Sequence, residues 1–218
     1  MRKLVRDWVR MLAGVLPTPE PIIEFGSLQV EGIGELANLR PLFAGKRYVG
    51  TDLRAGPGVD CILDLHRVGL RGESAGMVLV LDTLEHVEYP RRAMEEVARV
   101  LKPQGVLLLS SVMDFPIHEH PYDFWRFTPM GFDSLLRIFP ARVVFALGRE
   151  DFPHTVLGVA WKSAPESEVI AELRRAMGPW SREWERIVRD DERRQARKRL
   201  VPAPIRCAWR QLRRRRAV

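Results

Sequence analysis

Four carboxylates, Glu24, Asp52, Asp64 and Asp82, each stand at or near the end of a short apolar run. Carboxylates in such places can accept hydrogen bonds from ligand hydroxyls or amino groups, and any one of them alone could equally be a solvated loop acid. Histidine titrates near neutral pH and can take a proton from a hydroxyl, which is otherwise a weak nucleophile. His118 and His120 lie in "IHEHPYDFWRFT", and His86 follows the apolar run that ends at Asp82. His118 is the first candidate for a general base, with His86 and His120 as alternates. A hydrogen-bonded loop histidine is the competing reading for each. His118 and His120 would share a face of an extended segment, with Asp114 and Asp123 nearby. Two histidines with unplaced carboxylates fall short of a ligand set, so no metal is assigned. In the same stretch Tyr122, Asp123, Trp125 and Arg126 mix aromatic and charged groups, as a sugar-like acceptor requires. The alternative is that Phe124 and Phe127 anchor the loop while Asp123 and Arg126 form an internal ion pair.

These residues need elements to hold them. Apolar runs at 22–25, 47–53, 59–65, 77–81 and 105–112 read as strands. Between the last two, "PRRAMEEVARVLKPQG" reads as a helix opened by Pro90, with an apolar stripe of Ala93, Met94, Val97, Val100 and Leu101. Lys102 would complement its C-terminal dipole, and Pro103 with Gly105 would end it. "TPMGFDSLLRIF" reads as a second helix capped by Thr128, and "ARVVFALG" and "HTVLGVAWKS" as a final antiparallel ribbon. Strands alternating with helices predict an α/β fold: a Rossmann-like, mostly parallel, doubly wound sheet with an antiparallel last strand. Ligands of such sheets bind beyond the carboxyl ends of the strands, where the four acids fall.

The segment "LDTLEHVEYPRRAMEEVARVLKPQGVLLLS" closely resembles the fourth-to-fifth-strand region of the class I S-adenosylmethionine-dependent methyltransferases. The resemblance spans about residues 22–163. The stretch from Ile117 to Phe132 is similar to a subgroup associated with sugar and polysaccharide pathways. The resemblance implies S-adenosylmethionine as cofactor. It implies close backbone approach at Glu24, Gly26, Ser27 and Gly32, ribose binding by Asp52, adenine recognition by Asp64 with the backbone of Leu65, and a pocket lined by Asp82 and Thr83. The family loop is D/E-x-G-x-G-x-G. Here only Glu24 and Gly26 stand in register, and Leu28 occupies a glycine place. A longer loop would let Gly32 or Gly34 serve before "ELANLRPLF" enters a helix. A nicotinamide enzyme would use similar acids, but it needs G-x-G-x-x-G and has no place for "LEHV … LKPQG".

The chain of 218 residues carries a net charge of +7, unevenly placed. From Ala171 onward there are 16 basic and 6 acidic residues, against 19 and 22 before that point. Three parts follow: an amphipathic helix at 1–18, a cofactor-binding domain at 19–164 and a basic helical extension at 165–218. In the extension, helices are expected on either side of Pro179. Leu4, Trp8, Met11 and Leu12 give the first part an apolar face, for docking on the body or on an anionic membrane. The two cysteines, Cys61 and Cys207, form no redox or metal spacing, and a cytoplasmic protein is expected. The leading expectation is O-methylation of a small-molecule or saccharide hydroxyl. The alternatives are a nucleic-acid methyltransferase using the "LRRRR" tail and a non-catalytic binding protein of the same fold.

Overall fold

The computed structural model describes residues 2–30, 32, 34–118 and 121–200, with side chains described as far as 190. His120 and the arginine-rich tail lie outside the described residues. Seven strands form one sheet: β1 (Ile22–Phe25), β2 (Tyr48–Asp52), β3 (Cys61–Ile62), β4 (Ala75–Leu81), β5 (Leu101–Val112), β6 (Ala141–Gly148) and β7 (Pro153–Trp161). Their order is β3-β2-β1-β4-β5-β7-β6. The first five run parallel, and β7 is antiparallel to both β5 and β6. The order reverses at β1, which lies between β2 and β4. Sheets of this topology bind ligands at that point, beyond the carboxyl ends of the strands.

Every residue of β4 is buried, as expected for a central parallel strand. Ile23, Phe25, Val78, Val80, Leu107 and Leu109 form a core with α3 (Pro90–Val100) and α4 (Pro129–Leu135). Thr128 caps α4 by accepting the Gly131 N–H at 3.0 Å. The other face of the strands, with Ile22, Met77, Leu79 and Leu108, is buried as well.

Three expectations are corrected. The third strand is two exposed residues at the sheet edge, Cys61–Ile62, not the whole apolar run 59–65. Helix α3 ends at Val100, and β5 begins at once with Leu101. Lys102 therefore leaves the helix end and donates to the Glu20 carbonyl at 2.7 Å. After the first loop only α2 (Gly34–Ala37) and a 3-10 turn at Arg40–Phe43 form in place of a full helix. Asn38 Oδ1 accepts the Arg40 N–H at 3.2 Å, and this side-chain turn stops the helix before Pro41.

Helix α1 (Lys3–Ala13) buries Leu4, Val5, Trp8, Val9 and Leu12. Trp8 Nε1 donates to Met177 Sδ at 3.3 Å, and Arg6 donates to the carbonyls of Glu35 and Leu36 at the end of α2. Its apolar face thus docks on the body. Helix α5 (Ser167–Leu200) runs through Pro179 without the expected break. Contacts divide the chain between Gly178 and Pro179. In the second unit Trp180 and Trp184 have ring centroids 6.4 Å apart, and Arg186 pairs with Glu183.

Trp8 is fully buried. Trp8→Ala is expected to cost about 3–5 kcal/mol of stability, read as a lower denaturant midpoint. An unchanged midpoint would mean that α1 is not part of the cooperative fold.

Candidate active site

The first loop is shaped by steric limits. Gly26 has φ +84°, and a Cβ there would meet Thr83 Oγ1 at 2.1 Å. Thr83 itself donates to the Leu81 carbonyl at 2.9 Å, so it closes the wall between β1 and β4. Ser27 is buried and bonds the carbonyls of Thr51 and Gly58 at 3.2 and 3.1 Å. Leu28 needs no left-handed backbone: among the described residues only Glu73 and Asp82 adopt positive φ without being glycine. Its side chain packs on Gly56, where a Cβ would meet Leu28 Cδ1 at 2.4 Å. The leucine thus has a steric partner in place of the family's glycine geometry. Gly32 has φ +85° with open space around it.

Asp52 lies against this loop. Its Oδ2 receives the Leu28 N–H at 3.4 Å and its Oδ1 the Arg54 N–H at 3.0 Å. A carboxylate has about four acceptor positions, so room remains for two ligand hydroxyls. Asp64 is half exposed; its Oδ1 takes the backbone N–H and Nδ1 of His66, both at 2.8 Å. The Leu65 side chain is in the core, which leaves its backbone for a ligand. Glu24 is buried, and its carboxylate accepts the Tyr48 hydroxyl at 2.5 Å. Burial pushes its carboxyl up to about 7, although the Tyr48 bond and Arg40 pull the other way.

A second group of polar side chains lies at β4, β5 and β7. Asp82 sits there with φ 46°. Burial alone would raise its carboxyl, but the Arg2 guanidinium overrides burial and holds it below the usual carboxylate value. Arg2 binds both Asp82 oxygens, at 3.1 Å from Nε and 2.8 Å from NH2, and reaches Thr155 Oγ1 at 2.5 Å. Ser110 Oγ adds a bond to Asp82 at 2.9 Å. Asp82 therefore anchors the N-terminal segment, a correction to its expected role as a pocket-lining acid.

Next to it, Glu85 is 1% exposed. Burial and the charge of Asp82 push its carboxyl up to about 7. Its backbone carbonyl accepts the N–H groups of Phe124 and Trp125, at 2.8 and 3.1 Å, which ties the loop after β5 to the end of β4. This brings His86 and His118 together, with ring centroids 4.7 Å apart. His86 Nδ1 lies 2.8 Å from the Tyr122 carbonyl, and His118 Nδ1 lies 3.1 Å from that of Pro116. Carbonyls only accept, so these contacts place a proton on Nδ1 of each ring, and in the neutral tautomer the lone pair is then on Nε2; His118 Nδ1 also lies 3.3 Å from Asp123 Oδ2.

Asp123 and Arg126 make a two-pronged ion pair at 2.6 and 2.7 Å. Arg126 also bonds the carbonyls of Phe115 and Pro116, and Asp123 accepts the His118 N–H at 2.8 Å. These two are the strut of the loop, which favours the ion-pair reading over direct acceptor contact. Phe127 is buried, whereas the Phe124 side chain is 41% exposed and that residue holds the loop through its backbone N–H. Tyr122 and Trp125 stand at the rim, 66% and 42% exposed, and Trp125 Nε1 is held by the Val87 carbonyl at 3.0 Å.

Sequence reading missed Arg2 and Glu85. Neither is assigned a role by the sequence, since the Arg2–Asp82 pair spans 80 residues and the Glu85–Ser111 bond spans 26.

Residues 32–109 match the family model described as a methyltransferase domain, about a third of the chain. No curated protein matches the sequence. The fold is shared with many solved structures. One is a methyltransferase from Archaeoglobus fulgidus described as dependent on S-adenosylmethionine: TM-score 0.58, 13% identity, 74% of this chain and 95% of that one. Another is the CMeT domain of the citrinin polyketide synthase: TM-score 0.55, 15% identity, 74% and 52%. A third, from Thermotoga maritima, is titled a possible histamine N-methyltransferase: TM-score 0.52, 19% identity, 73% and 92%. The chain spans about half the length of the citrinin synthase structure it matches. The chain thus shares the class I methyltransferase fold, and the donor set of Gly26, Asp52 and Asp64 is chemically compatible with a nucleoside ligand.

Glu24 titrates higher in the fold than its unfolded value of about 4.3. Its contribution to stability is full below that value and is lost as pH rises through about 7. Glu24→Gln stays neutral while keeping an acceptor for Tyr48. Relative to the parent, its stability is expected to rise from pH 5 to pH 8 by up to roughly 3 kcal/mol, measured by urea unfolding at each pH. A difference that stays constant with pH would contradict the assignment.

Proposed function

We propose that the protein is an S-adenosylmethionine-dependent methyltransferase that methylates a hydroxyl of a small molecule or saccharide. The observation that carries this reading is a pair of chemically distinct side-chain groups beyond the carboxyl ends of the parallel strands. Around β1 and β2, the Gly26 turn, Asp52 and Asp64 suit a nucleoside. Beyond β4 and β5, two imidazoles pack edge to face at 4.7 Å, with the Phe115 ring 4.9 Å from His118 and the exposed rings of Tyr122 and Trp125 on the same loop.

When bound, the cofactor supplies a methyl group on a positively charged sulfur. Asp52 would accept the ribose hydroxyls, and Asp64 with the Leu65 backbone would meet the adenine. Tyr122 and Trp125 would stack on the acceptor and exclude water. His118 Nε2, or His86 Nε2, would hold the proton that leaves the acceptor hydroxyl. Much of the acceleration in a displacement of this kind comes from alignment. The Asp123–Arg126 strut would serve that end by fixing His118. The tail invoked for nucleic acid lies outside the described residues, and the O-methylation reading does not depend on it.

Titration calorimetry with S-adenosylhomocysteine tests the cofactor half without an acceptor. One site per chain is expected, weakened at least about tenfold in Asp52→Ala, as loss of charge-assisted hydrogen bonds of 1.5–3 kcal/mol requires. Absence of binding at high micromolar concentration, or binding indifferent to Asp52→Ala, would overturn it. Labelled methyl donor offered with a panel of sugar hydroxyl acceptors tests the other half. His118→Ala is expected to lower turnover roughly 100-fold or more while S-adenosylhomocysteine affinity is unchanged.

A further inference from the structure

We propose that Glu85, His86 and His118 bind one divalent first-row metal ion, leaving positions open for water or an acceptor hydroxyl. This inference rests on the acceptor half of the reading above. It assigns the histidine lone pairs to an ion rather than to a proton.

Each of the three side chains offers one ligand atom, and these atoms lie within 4.8 Å of one another. Ligands bonded at about 2.0–2.2 Å to a shared ion sit roughly 3–4 Å apart, so a small closure of the cluster completes the geometry. Both rings place Nδ1 against a backbone carbonyl, at 2.8 and 3.1 Å. That contact orients the ring and leaves the lone pair on Nε2, the arrangement of a metal-bound imidazole with its outer-shell partner.

Glu85 supplies the independent observation. Its Oε2 accepts the Ser111 hydroxyl at 2.6 Å, but its Oε1 is buried with no hydrogen-bond partner among the described residues. An orphaned buried acceptor is costly and calls for an unseen water or ion. Beside two imidazoles, a cation would satisfy the oxygen and offset the charge that Glu85 carries next to Asp82. The acids first considered for a metal do not compete: Asp123 is held by Arg126 through both oxygens.

Two nitrogens and one oxygen suit zinc, cobalt, manganese or ferrous iron rather than calcium or magnesium. Three protein ligands leave open positions, as catalytic metal sites do. An ion there lowers the pKa of a bound hydroxyl or water, the activation that O-methylation needs.

The test uses the full chain in a Cys61→Ser background, which removes the one exposed thiol among the described residues. The protein is stripped with chelator, then titrated with Co(II) followed by visible absorption and with Zn(II) by calorimetry. One ion per chain is expected. Glu85→Gln and His118→Ala should each weaken it by at least about tenfold, the lower end of the loss seen for outer-shell partners. His66→Ala should leave it unchanged. Glu85→Gln keeps the shape of the side chain, and added Zn(II) should no longer raise its melting temperature as it does the parent's. No stoichiometric binding by the folded chain, or binding that survives both substitutions, would overturn the proposal. S-adenosylhomocysteine binding without metal binding would sink this inference alone. Metal binding without S-adenosylhomocysteine binding would sink the methyltransferase reading instead.

Discussion

The buried ion pair of Arg2 and Asp82 sets the conditions for everything around it. Asp82 ends the central strand β4 with 9% of its side chain exposed, and an unpaired carboxylate there would be strongly destabilising. Arg2 reaches it from just before α1, over a sequence separation of 80 residues. The pair is possible only with α1 docked, so burial of Trp8 and ionisation of Asp82 support each other. The negative charge kept at Asp82 then contributes to the raised carboxyl of Glu85. The charge of Arg2 itself acts on Glu85 in the opposite sense and lowers that carboxyl, but more weakly than burial and Asp82 raise it.

The sheet makes a second constraint. Its order reverses at β1, so the ends of β2 and β4 diverge on either side of the Gly26 turn. One side gathers Asp52 and Asp64. The other gathers Asp82, Glu85, His86 and, through the loop after β5, His118. The contact of Thr83 with Gly26 separates the two. A methyl donor and its acceptor need such adjoining but different environments. One side must accept hydroxyls and an amine, and the other must hold a proton or a cation.

Much of this was legible in the sequence. Apolar strands such as 77–81 and 106–109 announce a central parallel sheet because they have no polar face to show water. Thr128 announces a helix start by the same hydrogen bond the structure contains. Other features were hidden because they depend on partners distant in the chain. Leu28 looked like damage to a glycine loop, and only its packing on Gly56 explains it. Glu24 looked like a ligand acid until Tyr48 was placed beside it. The aromatic loop was read as both acceptor platform and structural anchor. The structure divides these roles, with Phe127 inside, Tyr122 and Trp125 outside, and Asp123 with Arg126 bracing the turn. No local pattern could have told Phe124 from Phe127, since their difference is set by contact with α4.

The central claim is that a nucleoside-bearing methyl donor sits between the Gly26 turn and Asp52, on the far side of Thr83 from the histidines. Hydrogen–deuterium exchange with and without S-adenosylhomocysteine tests it most directly. The account predicts slower exchange at residues 26–29 and 52–65, with little change in α4. Exchange unaltered at saturating ligand, or protection confined to segments away from the ends of β1 and β2, would contradict it.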